Sequence, residues 1–194
     1  MIRRTVRMSL AAAILASLAL PPLPARSGTT TSGVRPDAWI RLCGARNGCT
    51  DHAIAPTPYK GNDIYNGTGL HQTASGKMEE GNYIFFWITF QNDGSQSDTF
   101  LVKGCAGNPV FEVRQYAIGA WTRRRYYKPI IITPAVKNGT ASFPLPQGGK
   151  VAITLDVEET VANIPGRIFT CPITVRSKSD PSIRDTVVAK MIIY

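Results

Sequence analysis

Beyond residue 37, hydrophobic and polar residues alternate with a period of two through most of the chain. In Tyr83 to Asn92 the even positions Ile84, Phe86, Ile88 and Phe90 make one apolar face. In Lys150 to Glu158 the odd positions Val151, Ile153, Leu155 and Val157 do the same, with Thr154, Asp156 and Glu158 turned the other way. Ile168 to Lys178 repeats the pattern, setting Phe169, Cys171, Ile173 and Val175 against Thr170, Thr174, Arg176 and Lys178. Successive side chains of a strand point to opposite faces, so each segment reads as a strand with one buried face. Trp39 to Cys43, Thr99 to Lys103, Val110 to Tyr116 and Thr186 to Ile193 bring the expected strands to seven. Turn signals separate them at Asn92-Asp93-Gly94, Asn108-Pro109, Pro146-Gln147-Gly148-Gly149, Ile164-Pro165-Gly166 and Ser179-Asp180-Pro181. No later segment carries the period of a long amphipathic helix. The pattern predicts an all-β fold, an antiparallel immunoglobulin-like β-sandwich of about seven strands forming a single domain over residues 38–194.

The N-terminus breaks this pattern. Arg3, Arg4 and Arg7 precede an apolar run from Met8 to Leu20, which meets Pro21, Pro22 and small residues around Ala25 and Ser27. Basic start, apolar middle and small-residue exit are the parts of a secretory signal, here residues 1–27. The run is short for a membrane span, which takes about 20 apolar residues. Residues 28–37 are Thr-, Ser- and Gly-rich and read as a flexible leader. The expectation is a secreted or periplasmic mature chain with no membrane anchor. Composition fits: 194 residues, 43% of them hydrophobic, suffice for one core and exclude disorder for most of the chain. The formal charge of +9 falls to +5 once Arg3, Arg4, Arg7 and Arg26 leave with the signal.

All four cysteines, Cys43, Cys49, Cys105 and Cys171, lie beyond the signal, and an even number in an exported chain suggests disulfides. Three pairings are possible. Cys43 and Cys49 flank the short Gly/Asn-bearing turn 44–48 and can close locally, leaving Cys105 with Cys171. Immunoglobulin-like strand order would bring those two together, with a bulge or turn at Gly104 to correct the phase of Cys105. The spacing of Cys43, Cys49, His52 and His71 matches no common zinc pattern.

Chemistry is sparse. G-x-S-x-G, a P-loop, a dinucleotide fingerprint and H-E-x-x-H are absent, so no catalytic residue, metal or cofactor is expected. His52 and His71 fall in loop-like sequence. Asp156, Glu158 and the adjacent Glu159 read as charges on an exposed strand face. Asp93 and Asp98, five apart, fall outside the pattern of a dedicated calcium loop. Asn66-Gly67-Thr68 and Asn138-Gly139-Thr140 are formal glycosylation acceptors that also read as turns. The most distinctive stretch is Trp121-Thr122-Arg123-Arg124-Arg125-Tyr126-Tyr127-Lys128. There Trp121, Arg123, Arg124, Arg125, Tyr126 and Lys128 form a candidate polyanion site, guanidinium forks pairing with acidic groups while rings stack on sugar.

Tyr83 to Gly94 followed by Asp98-Thr99-Phe100, the Pro-Gly-Gly turn within Pro144 to Leu155, and Thr174 to Ala189 with Asp180-Pro181 together resemble bacterial exported immunoglobulin-like modules of the CARDB and NEW3-like type. Asp63-Ile64-Tyr65-Asn66 resembles a segment that precedes such modules, so the likeness covers residues 60–194. The resemblance implies a non-catalytic module on the cell surface or outside it, and carries over no catalytic residue. The expected function is therefore an exported, non-enzymatic interaction or structural module whose partner is a protein or a cell-surface polymer. The alternative is a binding module for an anionic glycan or other polyanion through the Trp/Arg/Tyr patch. Export makes nucleic acid an unexpected partner.

Overall fold

The computed structural model describes residues 33–45, 57–79, 81–118, 129–161 and 165–194. The expected signal therefore lies outside the described residues, as do Cys49, His52 and the patch from Trp121 to Lys128. Among the described residues, ten strands and one short helix follow in the order β1 (Pro36–Ala45), β2 (Thr73–Met78), β3 (Tyr83–Asn92), β4 (Asp98–Lys103), β5 (Phe111–Ile118), β6 (Ile130–Ile131), α1 (Thr133–Asn138), β7 (Ala141–Leu145), β8 (Lys150–Glu159), β9 (Ile168–Ser177) and β10 (Arg184–Ile193). They form two five-stranded sheets, ordered β1-β3-β8-β5-β6 and β2-β10-β9-β4-β7. The fold is the expected all-β sandwich, with Ile40, Phe86, Phe90, Leu155, Phe100, Ile173 and Val187 among the side chains of one shared core.

Three strands exceed the expected seven, and each hides its signal. In β2 the inward positions are Ala74, Gly76 and Met78, so only one large apolar residue marks it. Gly76 is required there: a Cβ would stand 2.3 Å from Ile84 Cδ1 and 2.7 Å from Leu42 Cδ1. β7 carries Pro144, which cannot donate to a ladder and is tolerated because β7 lies at a sheet edge. β6 is two residues long. The sandwich is also not wholly antiparallel, since β2 runs parallel to β10. β1 begins at Pro36, within the stretch 28–37 that composition reads as leader.

Two bulges set which side chains leave the core. Pairing of β1 with β3 slips between Leu42 and Gly44, and pairing of β5 with β8 slips between Val113 and Gln115. The second slip puts both Phe111 and Val113 before it, and Tyr116 after it, into the core despite the odd spacing. An extra residue on one strand resets the alternation in this way. The turn expected at Asn92-Asp93-Gly94 carries the chain from one sheet to the other. Asn92 Oδ1 accepts from Gly94 N–H at 3.1 Å, and a Cβ on Gly94 would lie 2.2 Å from the Gly33 carbonyl oxygen. Glycine stands there because another stretch of backbone crosses it.

Candidate functional site

Cys105 and Cys171 form a disulfide across 66 residues, with Cα atoms 5.3 Å apart. Antiparallel pairing of β4 with β9 brings them together, and β4 ends at Lys103 so that Cys105 escapes strand phase, as expected. Tyr116 lies over the bond, its hydroxyl donating to the Cys105 carbonyl at 3.2 Å and standing 3.3 Å from Cys171 Sγ. Burial pushes that phenol above its ordinary range. Cys43 is also disulfide-bonded, which removes it from any zinc set.

Two of the three β8 carboxylates, Asp156 and Glu159, do not stand on the solvated face that was expected. Asp156 is 4% exposed and Glu159 is buried too. Asp156 lies between Phe85 of β3 and Gln115 of β5, and the bulged Arg114 reaches over it, Nε 3.8 Å from Asp156 Oδ2 and 3.2 Å from Glu158 Oε2. Burial raises the Asp156 carboxyl to about 6, against the pull of Arg114 and with a push from Glu158. A carboxyl with a folded value above its unfolded 3.8 holds its proton more tightly in the native state, so its contribution favours the fold at low pH and is lost as pH rises from 3.8 to about 6. Asp156→Asn is therefore expected to match the parent near pH 3.5 and to exceed it by ~1–3 kcal/mol at pH 8. Urea melts at both pH values check this, and a variant weaker than the parent at pH 8 contradicts it.

The same outer face carries the feature that spacing alone did not single out. Outward positions of a two-layer sandwich are ordinarily polar, yet here Trp39, Tyr83, Phe85 and Trp87 occupy them, joined by Tyr59 from the β1–β2 connection. Trp39 and Tyr59 meet edge to face at 6.3 Å, as do Tyr83 and Phe85 at 5.3 Å. Cations stand over the rings: Arg41 lies 4.8 Å from the Tyr59 centroid and 5.7 Å from that of Trp87, Arg114 5.5 Å from Tyr83, and Lys150 5.2 Å from Trp39. Tyr59 remains 41% exposed. Arg41 Nε is buried and has no hydrogen-bond partner. A guanidinium stacked near two rings sets a fixed positive charge beside aromatic faces, a pairing that suits acidic groups carried on rings. The sequence signal was the odd face of β3: Tyr83, Phe85 and Trp87 make that strand apolar on both sides, more than one core requires.

Other predicted positions separate. Asp98 accepts from Ser177 Oγ and Thr99 N–H, while Asp93 groups with Asp37 and Asp63. His71 is an exposed loop residue with φ of 64°. Asn66 Oδ1 binds its own turn, accepting from Thr68 and Leu70 N–H, and Asn138 ends α1 against Gly139 in the left-handed region.

Fold and disulfide define the class, an all-β two-sheet sandwich with a cystine beside its core. No protein-family model matches the chain, and no curated protein matches it. Among solved structures it is similar to a family 123 glycoside hydrolase from Clostridium perfringens, with TM-score 0.38 and 9% identity over 63% of this chain and 23% of that one. It is similar also to the ASH / PapD-like domain 7 of human CEP192, with TM-score 0.31 and 10% identity over 62% and 78%. A third is the β-glucosidase from Listeria innocua, with TM-score 0.26 and 13% identity over 60% and 14%. At these values neither activity nor ligand transfers to this chain.

Proposed function

We propose that the protein is an exported, non-catalytic β-sandwich binding module and that the outer face of the β1-β3-β8 sheet takes an anionic glycan or similar cell-surface polymer. The observation that carries this reading is Arg41, whose guanidinium stands 4.8 Å from the Tyr59 ring and 5.7 Å from that of Trp87 on an outward face of aromatic side chains. Aromatic faces suit sugar rings, and the guanidinium suits a carboxylate or sulfate on them. The chain joining β5 to β6 of the same sheet carries Trp121, Arg123, Arg124, Arg125, Tyr126 and Lys128, the same chemistry, though these residues lie outside the described ones. The disulfides support an oxidising compartment.

Binding to uronate-bearing and sulfated polysaccharides, measured by affinity electrophoresis at two salt concentrations, tests it. The parent is expected to be retarded less at high salt, and Arg41→Ala with Trp87→Ala to weaken binding ~10-fold or more, equal to at least ~1.4 kcal/mol. A folded variant retarded like the parent, or a parent that no acidic polymer retards, would refute the site.

A further inference from the structure

At the end of the sandwich where β1 begins and β3 ends, three carboxylates converge. Asp37 comes from β1, Asp63 from the β1–β2 connection and Asp93 from the crossing between β3 and β4. Each offers an oxygen within 4.8 Å of the others. Among the described residues no lysine, arginine or histidine pairs with any of them. Arg35 is near, but its guanidinium carbon stands over the Tyr65 ring, 3.5 Å from the centroid.

The hydrogen bonds around the cluster leave acceptors over. Tyr65 Oη donates to Asp93 Oδ2 at 2.7 Å and approaches Asp63 Oδ1 at 3.2 Å. Asn62 Nδ2 donates to Asp63 Oδ2 at 2.7 Å. Asp63 N–H donates to Asp37 Oδ2 at 3.3 Å. Asp37 itself is 1% exposed, and its Oδ1 is buried with no partner at all. A buried acceptor without a donor, beside two more carboxylates, is a costly arrangement unless a positive charge fills it.

We propose that Asp37, Asp63 and Asp93 bind a hard divalent cation, calcium in first place, which ties the first strand and the connection after it to the crossing between the sheets. The donor set is all oxygen, which disfavours zinc and copper. Calcium suits it better than magnesium, because ligands from three separate backbone segments make an irregular shell, and magnesium demands a near-regular octahedron. Nothing in the proposed glycan site is needed for this one, and the two can fail separately.

The test uses the full-length protein stripped with EDTA. Calcium at a hundredfold excess over its Kd is expected to raise the melting temperature by ~5–10 °C. Terbium is expected to take the same place and to emit on excitation of Tyr65, whose hydroxyl touches two of the ligands, with calcium quenching that emission by competition. Asp63→Asn with Asp93→Asn should melt in EDTA at or above the parent's temperature, because repulsion is relieved, and should bind calcium at least 10-fold more weakly. Should the double variant fail to fold, Asp93→Asn alone, at a half-buried position, gives the same readout. A parent that melts identically in calcium and EDTA overturns the site, as does a variant that keeps the parent's calcium shift. A shift with magnesium and none with calcium overturns the choice of ion.

Discussion

Asp185→Ala is expected to destabilise the fold by ~3–4 kcal/mol, read as a lower urea midpoint at unchanged slope. Asp185, at the start of β10, is fully buried, and its two oxygens hold three parts of the chain together. Oδ2 accepts from Ala38 N–H of β1 at 2.8 Å, while Oδ1 accepts from Asn66 N–H at 3.0 Å and from its neighbour Thr186 at 2.8 Å. Gln72 Nε2 reaches both oxygens, at 2.9 and 3.1 Å. Burial pushes this carboxyl upward and the N–H groups of Gln72, Asn66, Ala38 and Thr186 pull it back. Truncation therefore relieves a buried charge, a gain, but orphans donors. Gln72 retains the Ile64 carbonyl at 2.8 Å and Thr186 retains that of Asn66 at 2.9 Å, so the net loss falls on Ala38 and Asn66. Two buried donors at ~1–3 kcal/mol each outweigh the relief. Asp185→Asn should fall between parent and alanine, because its amide turns one oxygen into a donor facing another donor. A loss below ~1 kcal/mol in the alanine variant would show that water replaces the carboxylate.

Removing the Cys105–Cys171 bond is expected to cost ~4 kcal/mol. The bond closes a 66-residue span that contains β5 through β8, so reduction restores a large conformational freedom to the unfolded chain. Local packing changes less. With alanine at both positions Tyr116 still donates to the carbonyl of residue 105, because that acceptor is backbone. The effect thus belongs to the unfolded state, and reducing the parent with a thiol, which opens the Cys43 bond as well, should cost at least as much. Typical domains hold 5–15 kcal/mol in all, so the reduced protein should melt far below the oxidised one. Equal denaturant midpoints for parent, reduced parent and double variant would contradict this.

Strand existence was legible wherever the buried face carried several large residues, as in β3, β8 and β9. It was hidden in β2, where close packing against Ile84 and Leu42 requires glycine at position 76, and in β7, where an edge place makes proline tolerable. The disulfide pairing was legible because loop length and strand order both pointed to Cys105 with Cys171. Asp156 was misread as solvated because alternation names a face and not what stands beside it: Phe85, Gln115 and Arg114 flank it from two other strands.

The candidate sites differ in the same way. Tyr83, Phe85 and Trp87 were visible as a second apolar face of one strand, but Arg41 and Tyr59 joined them only through pairing of β1 with β3 and the return of the following connection. Asp37, Asp63 and Asp93 lie 26 and 30 residues apart and share no motif. By itself the sequence determined which residues alternate, hence the class of fold and the faces of its longest strands, because strand periodicity is a property of neighbours along the chain. Which carboxylates meet, where a bulge resets the alternation and which glycine is crossed by another backbone were decided by the tertiary structure, because those contacts depend on strands distant in sequence becoming neighbours in space.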